Sequence, residues 1–402
     1  MKQIFTLVGL SIFLVSGNRS DASDWPHWRG PDFNGISRET GWLSKWPAQG
    51  PTVLWKASVG TGFSSFAVAD GRVYTMGNEE NRDSVVCLDE GSGRDLWRHD
   101  YPEPKAPKLY EGGPNATPTV NDDRVFSLSR NGKLFCLEAD SGKVVWSQDL
   151  MADFGIQVPD KGHWGLSGSP VVQGQWVIVN AGRAGMAFDR ESGKLVWQTG
   201  RDPAGYATPV PCEIGGHRAV LVFAAKALMA VALADGRELW QYPWETSWDV
   251  NAADPMIDGQ RIFITSGYNR GAAVLQLKEG RPHPLWENKN MRSQMSGGVL
   301  WQGHVYGIDD KQLRCLALDT GEVRWTDKSS GKGSVTMAEG KLIVLSEKGE
   351  LLVADASPEG FQSSARAQVL GGKCWTVPVL ANGRLYARNA AGDVVCLDLT
   401  QK

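Results

Sequence analysis

Residues 131–146 read NGKLFCLEADSGKVVW, a strand, a tight turn and a second strand. Lys133, Leu134, Phe135, Cys136 and Leu137 make one short run, and Asp140, Ser141, Gly142 and Lys143 carry turn chemistry, with Gly142 free to take positive φ. Val144, Val145 and Trp146 are the β-branched and aromatic residues that strands favour. One such hairpin would be marginal in water, but this one recurs. A strand-ending Trp stands at Trp55, Trp97, Trp146, Trp197, Trp240, Trp286 and Trp325, at spacings of 42, 49, 51, 43, 46 and 39 residues. Four residues ahead of it lies a turn glycine at Gly93, Gly142, Gly193, Gly236 and Gly321; Gly280 lies six ahead of Trp286, which predicts a slightly longer turn. Six residues ahead of each glycine is a small or β-branched residue: Cys87, Cys136, Ala187, Ala230, Val274 and Cys315.

A second hairpin precedes each of these, as in VADGRVY at 68–74, IDGQRIF at 257–263 and LANGRLY at 380–386. Each unit therefore holds four short strands and two sharp turns, and a period of about 45 residues with four strands is that of a propeller blade. Units begin near Ser65, Ala116, Ser169, Thr208, Asp254, Gly297, Ser334 and Thr376. The seventh keeps its turn at 353–360 but carries Val369-Leu370 in place of the terminal Trp. The eighth runs out after Cys396, and TVLWKASV at 52–59, with Trp55, supplies its missing strand. The expectation is an all-β protein, an eight-bladed β-propeller of four-stranded antiparallel blades, closed by strand 52–59. Closure protects sheet edges that would otherwise recruit other strands.

Composition agrees. The 402 residues are 42% hydrophobic, with 47 Gly and 17 Trp, which suits a turn-rich β protein. A net charge of −3 leaves no basic field for nucleic acid, so that partner class is excluded. Lys2 followed by the apolar stretch 4–15, with Ser20 and Ala22 at the −3 and −1 positions of a cleavage site, reads as a signal peptide over 1–22 and a mature start near Ser23. An uncleaved anchor is the alternative. No later stretch is long and apolar enough to span a bilayer. Residues 23–50, rich in Trp, Pro and Gly, read as an arm whose Trp25, Trp28, Trp42 and Trp46 cover apolar surface, and 51–402 as the propeller. Cys87, Cys136, Cys315 and Cys396 hold the same strand position in different blades, beyond the roughly 7 Å reach of a disulfide, and read as small apolar residues. Nothing in the spacing requires Cys212 and Cys374 to pair.

The segments CLDEGSGRDLW (87–97), CLEADSGKVVW (136–146), AFDRESGKLVW (187–197) and CLALDTGEVRW (315–325) resemble the tryptophan-docking repeat of quinoprotein propellers. The resemblance covers 51–402 and identifies an exported pyrroloquinoline-quinone-like (PQQ-like) repeat protein. It implies that the seven Trp form a structural girdle, each docking against the next blade. Two kinds of relative share the repeat: quinone- and calcium-dependent alcohol or sugar dehydrogenases, and the non-catalytic propeller that helps assemble outer-membrane β-barrels.

Ligands of such a ring sit on its axis, at the face carrying the loops between blades. Two of these loops are long, 98–114 and 147–168. Calcium needs carboxylate and amide oxygens, and the loops offer Glu111, Asn115, Asp153, Asp160, Asp249, Asn251 and Asp254, with aromatic residues Tyr110, Trp164, Trp244, Trp248 and Trp375. Under the dehydrogenase reading, Asp249 is the candidate base, Asp249, Asn251 and Asp254 the metal-side ligands, and Trp248, Asn251, Trp164 and Trp375 the quinone contacts. The same Asp and Asn residues equally suit turns and strand caps. His163, before Trp164-Gly165, has no His partner at metal spacing, and neither a Cys-Cys pair nor a C-x-x-C-H haem motif is present. The favoured expectation is a monomeric, non-catalytic binding or scaffold propeller of the periplasm or cell envelope, with a protein or envelope partner and no cofactor. The alternative is an oxidoreductase using PQQ and calcium.

Overall fold

The computed structural model describes residues 23–108, 110–159 and 164–401; the signal peptide expected over 1–22 lies outside them. Eight sheets follow one another along the chain, each built on four antiparallel strands. Blade one runs from Ala67–Ala69 to Asp95–Pro102 and blade two from Thr119–Asn121 to Val144–Asp149. The last blade is made of Val379–Ala381, Arg384–Arg388 and Asp393–Asp398, and is completed by Thr52–Ser58, with Trp55 opposite Cys396. The protein is an eight-bladed β-propeller closed between its N- and C-terminal strands.

The core is divided among the seams. Eight apolar clusters each combine residues of two neighbouring blades. Within a blade the strand-ending Trp pairs directly with the small residue of the third strand, as Trp97 with Cys87 and Trp146 with Cys136, and a bulge follows. All six cysteines are free. Between blades the indole lies on the next blade's turn. A Cβ placed on Gly93, Gly142, Gly193, Gly236 or Gly321 would stand 2.4–2.8 Å from the preceding blade's Trp ring. The indole N–H then donates to a carbonyl beside that turn: Trp55 to Glu90 (2.9 Å), Trp97 to Ala139 (2.8 Å), Trp146 to Arg190 (2.8 Å).

Three seams depart from this rule; at one of them Trp325 still donates to Ser357 O (2.8 Å), but Gly360 does not meet its ring. Gly280 sits in a two-residue hairpin, with Glu279 and Gly280 both at positive φ and Lys278 paired to Arg281. The strands are longer and the loop shorter than the spacing suggested, because Glu-Gly satisfies a tight left-handed turn. Gly280 then meets Ile214 rather than Trp240, and the buried Trp240 N–H has no partner. In blade seven the residue opposite Val353 is Ala365, so Ala365 rather than Val369 holds the Trp position. Register with the third strand sets that position, and a longer turn had displaced it in sequence. Trp42 of the arm is buried in the same seam cluster as Ala365, while the Leu43 N–H bonds to Leu399 O.

The arm enters the ring. Trp25 pairs with Val68 on the free edge of blade one's innermost strand, and Pro26 O accepts the Val120 N–H of blade two. Ile36–Ser37 lies parallel to Met337 and Ala338 in blade seven. The Glu39 carboxylate closes the path by accepting the N–H groups of Asn382 and Gly383 in blade eight. The axial end of the ring is tied by a relay in which a backbone N–H donates to a side-chain oxygen of the next blade. Ser65 donates to Thr117, Thr117 to Ser169, Ser169 to Thr208, and Thr208 to Asp254, at 2.7–3.0 Å.

The seams rank by stability. Trp146→Phe should lower unfolding stability by about 1–2 kcal/mol through its lost hydrogen bond. Trp240→Phe, which removes an orphan donor, should stay within about 0.5 kcal/mol; parallel urea titrations decide this, and equal losses would contradict the seam assignment. Gly142→Ala should cost more than about 2 kcal/mol from overlap with Trp97 plus left-handed strain, whereas Gly303→Ala, with open space around it, should cost only about 1 kcal/mol of strain. Thermal melts of the two variants compare them directly.

Candidate functional site

The loops between blades converge on an axial cavity of about 300 Å³. Six of its wall residues stand two positions before the blade-start residue: Phe63, Ser167, Tyr206, Ala252, Met295 and Lys332. The periodic offset follows from the propeller itself, since each innermost strand begins at the axis and the residue just ahead of it faces inward. It is the signal by which Phe63, Tyr206 and Lys332 could have been read from the repeat.

Aromatic rings dominate the wall. Tyr110 stacks on Trp164 at 4.2 Å between centroids, and Phe63 lies 5.7 Å from both Tyr110 and Trp375. Trp375 is fixed by its N–H to Glu347 (3.0 Å) and covered by Lys373 (4.3 Å to the ring), which is ion-paired with Glu111 at 2.7 Å. Asn115 Nδ2 donates to Trp164 O and Ser167 Oγ, holding that loop in place. On the far side stand Tyr268, Gln294 and Met295, with Lys332 Nζ donating to Gln294 Oε1 at 2.8 Å.

The inner end of the cavity belongs to the arm. Trp28 reaches through the ring and its indole N–H donates to Asp254 Oδ2 at 2.5 Å. Asp254 Oδ1 accepts the Thr208 N–H at 2.7 Å, and the Arg29 guanidinium lies 3.9 Å from Oδ2 while donating to Gly298 O. Asp254 is buried, and desolvation raises its pKa against the pull of Arg29, Trp28 and Thr208. Nearby, His27 stacks on Phe33 at 4.0 Å, and burial lowers its pKa to about 4.

The sequence-derived candidates separate in space. Trp164, Trp375 and Asp254 line the axial cavity. Trp248, 52% exposed, and Asp249 lie instead on a second cleft with Arg183 and Asp202. Asn251 is buried; its Nδ2 donates to Ala224 O, Ala225 O and Trp244 O, and its Oδ1 accepts from Ser266. Asp249, Asn251 and Asp254 thus face three different environments. Trp244 is buried, with its N–H on Ser266 and Arg270 stacked 3.5 Å over its ring. Asp153 accepts the Asp149 N–H at the start of the short helix Leu150–Phe154. Asp160 and His163 fall outside the described residues. Among the described residues, no three His, Cys, Asp or Glu side chains gather as a metal-ligand group, and no helix is long and apolar enough to cross a membrane.

The repeat and this architecture agree with a family model. The model described as outer membrane protein assembly factor BamB matches residues 81–327 and 309–402. The chain belongs to this family. Relatives fall on both sides of the functional divide. It is 27% identical to the quinohemoprotein alcohol dehydrogenase ADH IIB of Pseudomonas putida over 64% of this chain but only 32% of the enzyme. It is 22% identical to the outer membrane protein assembly factor BamB of Escherichia coli (strain K12) over 74% of this chain and 87% of that protein. The chain therefore spans about a third of the length of the dehydrogenase relative. Among solved structures, the quinohemoprotein alcohol dehydrogenase of Comamonas testosteroni superposes with a TM-score of 0.68 at 14% identity, covering 94% of this chain and 81% of that one. At that identity the likeness is one of fold.

Trp28 and Asp254 are testable as a pair. Ionised Asp254 is disfavoured by burial, so its penalty sets in as pH rises through the raised folded pKa. The Trp28 N–H offsets that penalty. Trp28→Phe should therefore cost more stability at high pH than at low pH, by about 1–3 kcal/mol, the range for a hydrogen bond to a charged group. In an Asp254→Asn background the pH dependence of this loss should vanish; denaturation at both pH values measures it.

Proposed function

We propose that this protein is a monomeric, non-catalytic binding propeller of the periplasm or cell envelope, presenting its loop face to a protein partner. The observation that carries this reading is the capture of Asp254, the axial carboxylate, by the chain's own arm. Each carboxylate oxygen already accepts one N–H, from Trp28 and Thr208, and the group is buried. A general base needs an open oxygen within hydrogen-bond reach of substrate, and calcium needs six to eight oxygens around one point. Asp249 and Asn251, the other two oxygen ligands suggested by the sequence, are directed elsewhere, Asn251 with its amide saturated by protein. The donor set on the wall does not fit a calcium–quinone centre.

Membership in a family described as an outer membrane assembly factor supports an envelope location and a protein partner. A rigid ring carrying variable loops is suited to display such a surface. The competing reading, a PQQ- and calcium-dependent oxidoreductase, is supported by the dehydrogenase relatives. Adding PQQ and calcium to the purified protein with a panel of alcohols and sugars should give no dye reduction. Substrate-dependent turnover would sink the scaffold reading.

A further inference from the structure

The seam between blades one and two turns polar where the loop after Pro102 leaves blade one. Strand register fixes what meets there. Asn78, Asp83 and Tyr101 are direct cross-strand neighbours, and alternation puts them on the face that carries Met76, Val85 and Cys87 of the seam's apolar cluster. Glu103 follows two residues after Tyr101. Ser127 of blade two, two residues after Val125 of the same cluster, faces them across the seam. Five buried oxygens there have no hydrogen-bond partner: Asn78 Oδ1, Asp83 Oδ2, the Tyr101 hydroxyl, Glu103 Oε2 and Ser127 Oγ. Asn78 Nδ2 donates to Asp83 Oδ1 (2.6 Å) and Glu103 O (2.9 Å), which fixes the amide and leaves its oxygen as an acceptor. Burial raises the Tyr101 pKa and both carboxylates add to it, which sets the phenol beside the two acids.

A buried polar group left unsatisfied costs about 1–3 kcal/mol, so five in one place point to a group bound among them. The donors give its chemistry. Two carboxylates, an amide, a phenol and a hydroxyl form an all-oxygen set, which suits a hard cation. Burial pushes the Asp83 carboxyl up to about 7, with Glu103 adding to it against the pull of Asn78, and burial also raises Glu103. A positive charge between the acids would relieve that cost. The side chains around them relieve it only in part. Arg130 Nη1 donates to Lys105 O and Ala106 O, at 3.1 and 3.3 Å. The half-exposed Lys133 ammonium stands 3.7 Å from Glu103 Oε2 and donates to Pro102 O. Glu103, Asn131, Lys133 and Asp149 line a depression open to solvent, which gives an ion a way in past the Lys133 side chain. We infer that the seam between blades one and two binds calcium, with Asp83 and Glu103 as its charged ligands and Asn78, Tyr101 and Ser127 as neutral ones. None of these five residues lines the axial cavity, so the inference is independent of the non-catalytic reading of that cavity.

Isothermal titration of the purified protein, stripped with EDTA, against calcium chloride tests the assignment. The dissociation constant should be on the order of 10⁻⁴–10⁻³ M, the range of extracellular calcium modules, and saturating calcium should raise the melting temperature. Asp83→Asn should weaken calcium about tenfold or more by removing one ligand charge. Tyr101→Phe, which keeps the ring and its packing, should weaken it about threefold through the lost oxygen. Lys133→Met removes a competing ammonium and should tighten binding by about threefold. Asp254→Asn, at the axis, should leave the affinity within about twofold. Should Asp83→Asn fail to fold, Tyr101→Phe and Lys133→Met still decide the matter. A seam filled by water alone would give no heat and no change in melting temperature up to about 10 mM calcium, and would overturn the proposal. So would an affinity unmoved by the seam variants, or one lost in Asp254→Asn. Calcium binding without dye reduction supports this site and leaves the non-catalytic reading intact; turnover with PQQ removes that reading and not this site.

Discussion

The contact on which the ring depends is one indole laid on one turn. At five seams the strand-ending Trp reaches across, covers a glycine that has no room for a Cβ, and gives its N–H to the adjacent carbonyl. The contact is local, yet it recurs around the ring and joins one blade to the next. Where it is missing, the seam is filled by other means. Trp42 of the arm packs into the seventh seam beside Ala365, whereas the Trp240 seam combines apolar packing with the Thr208–Asp254 and Trp244–Ser266 hydrogen bonds. The arm is thus part of the ring's cohesion as well as the occupant of its axis.

Most of the fold was legible because it is written repeatedly. Glycine, Trp and the small third-strand residue recur in fixed order, so eight units and the closing strand around Trp55 could be counted. The exceptions were illegible for a local reason. Spacing alone could not distinguish a longer turn from longer strands at Gly280, nor find the register that puts Ala365 opposite Val353. Both depend on hairpin pairing.

The site was only partly legible. Trp164, Trp375 and Asp254 were reachable as loop aromatics and a loop acid. Their separation from Trp248 and Asp249 was not, because residues five apart in one loop face different clefts once Asn251 is drawn into the core. Nor could sequence show that Trp28, more than two hundred residues away, would cap Asp254. That pairing exists only because the arm threads the channel, and nothing in the arm's composition specifies a depth.

Closure by Thr52–Ser58 against Asp393–Asp398 also imposes an order of events. The strand that seals the ring precedes its partner by seven blades of chain, so it is made well before that partner. Through all the intervening synthesis it has no sheet to join, and its Val53 and Leu54 remain outward-facing even in the finished ring. Pairing across so long a stretch of chain is slow in proportion to its contact order. An unpaired apolar strand that waits is an aggregation hazard. For a chain of this design, export before folding is an advantage: a polypeptide delivered unfolded across a membrane can bring both ends into the same compartment before the ring begins to assemble.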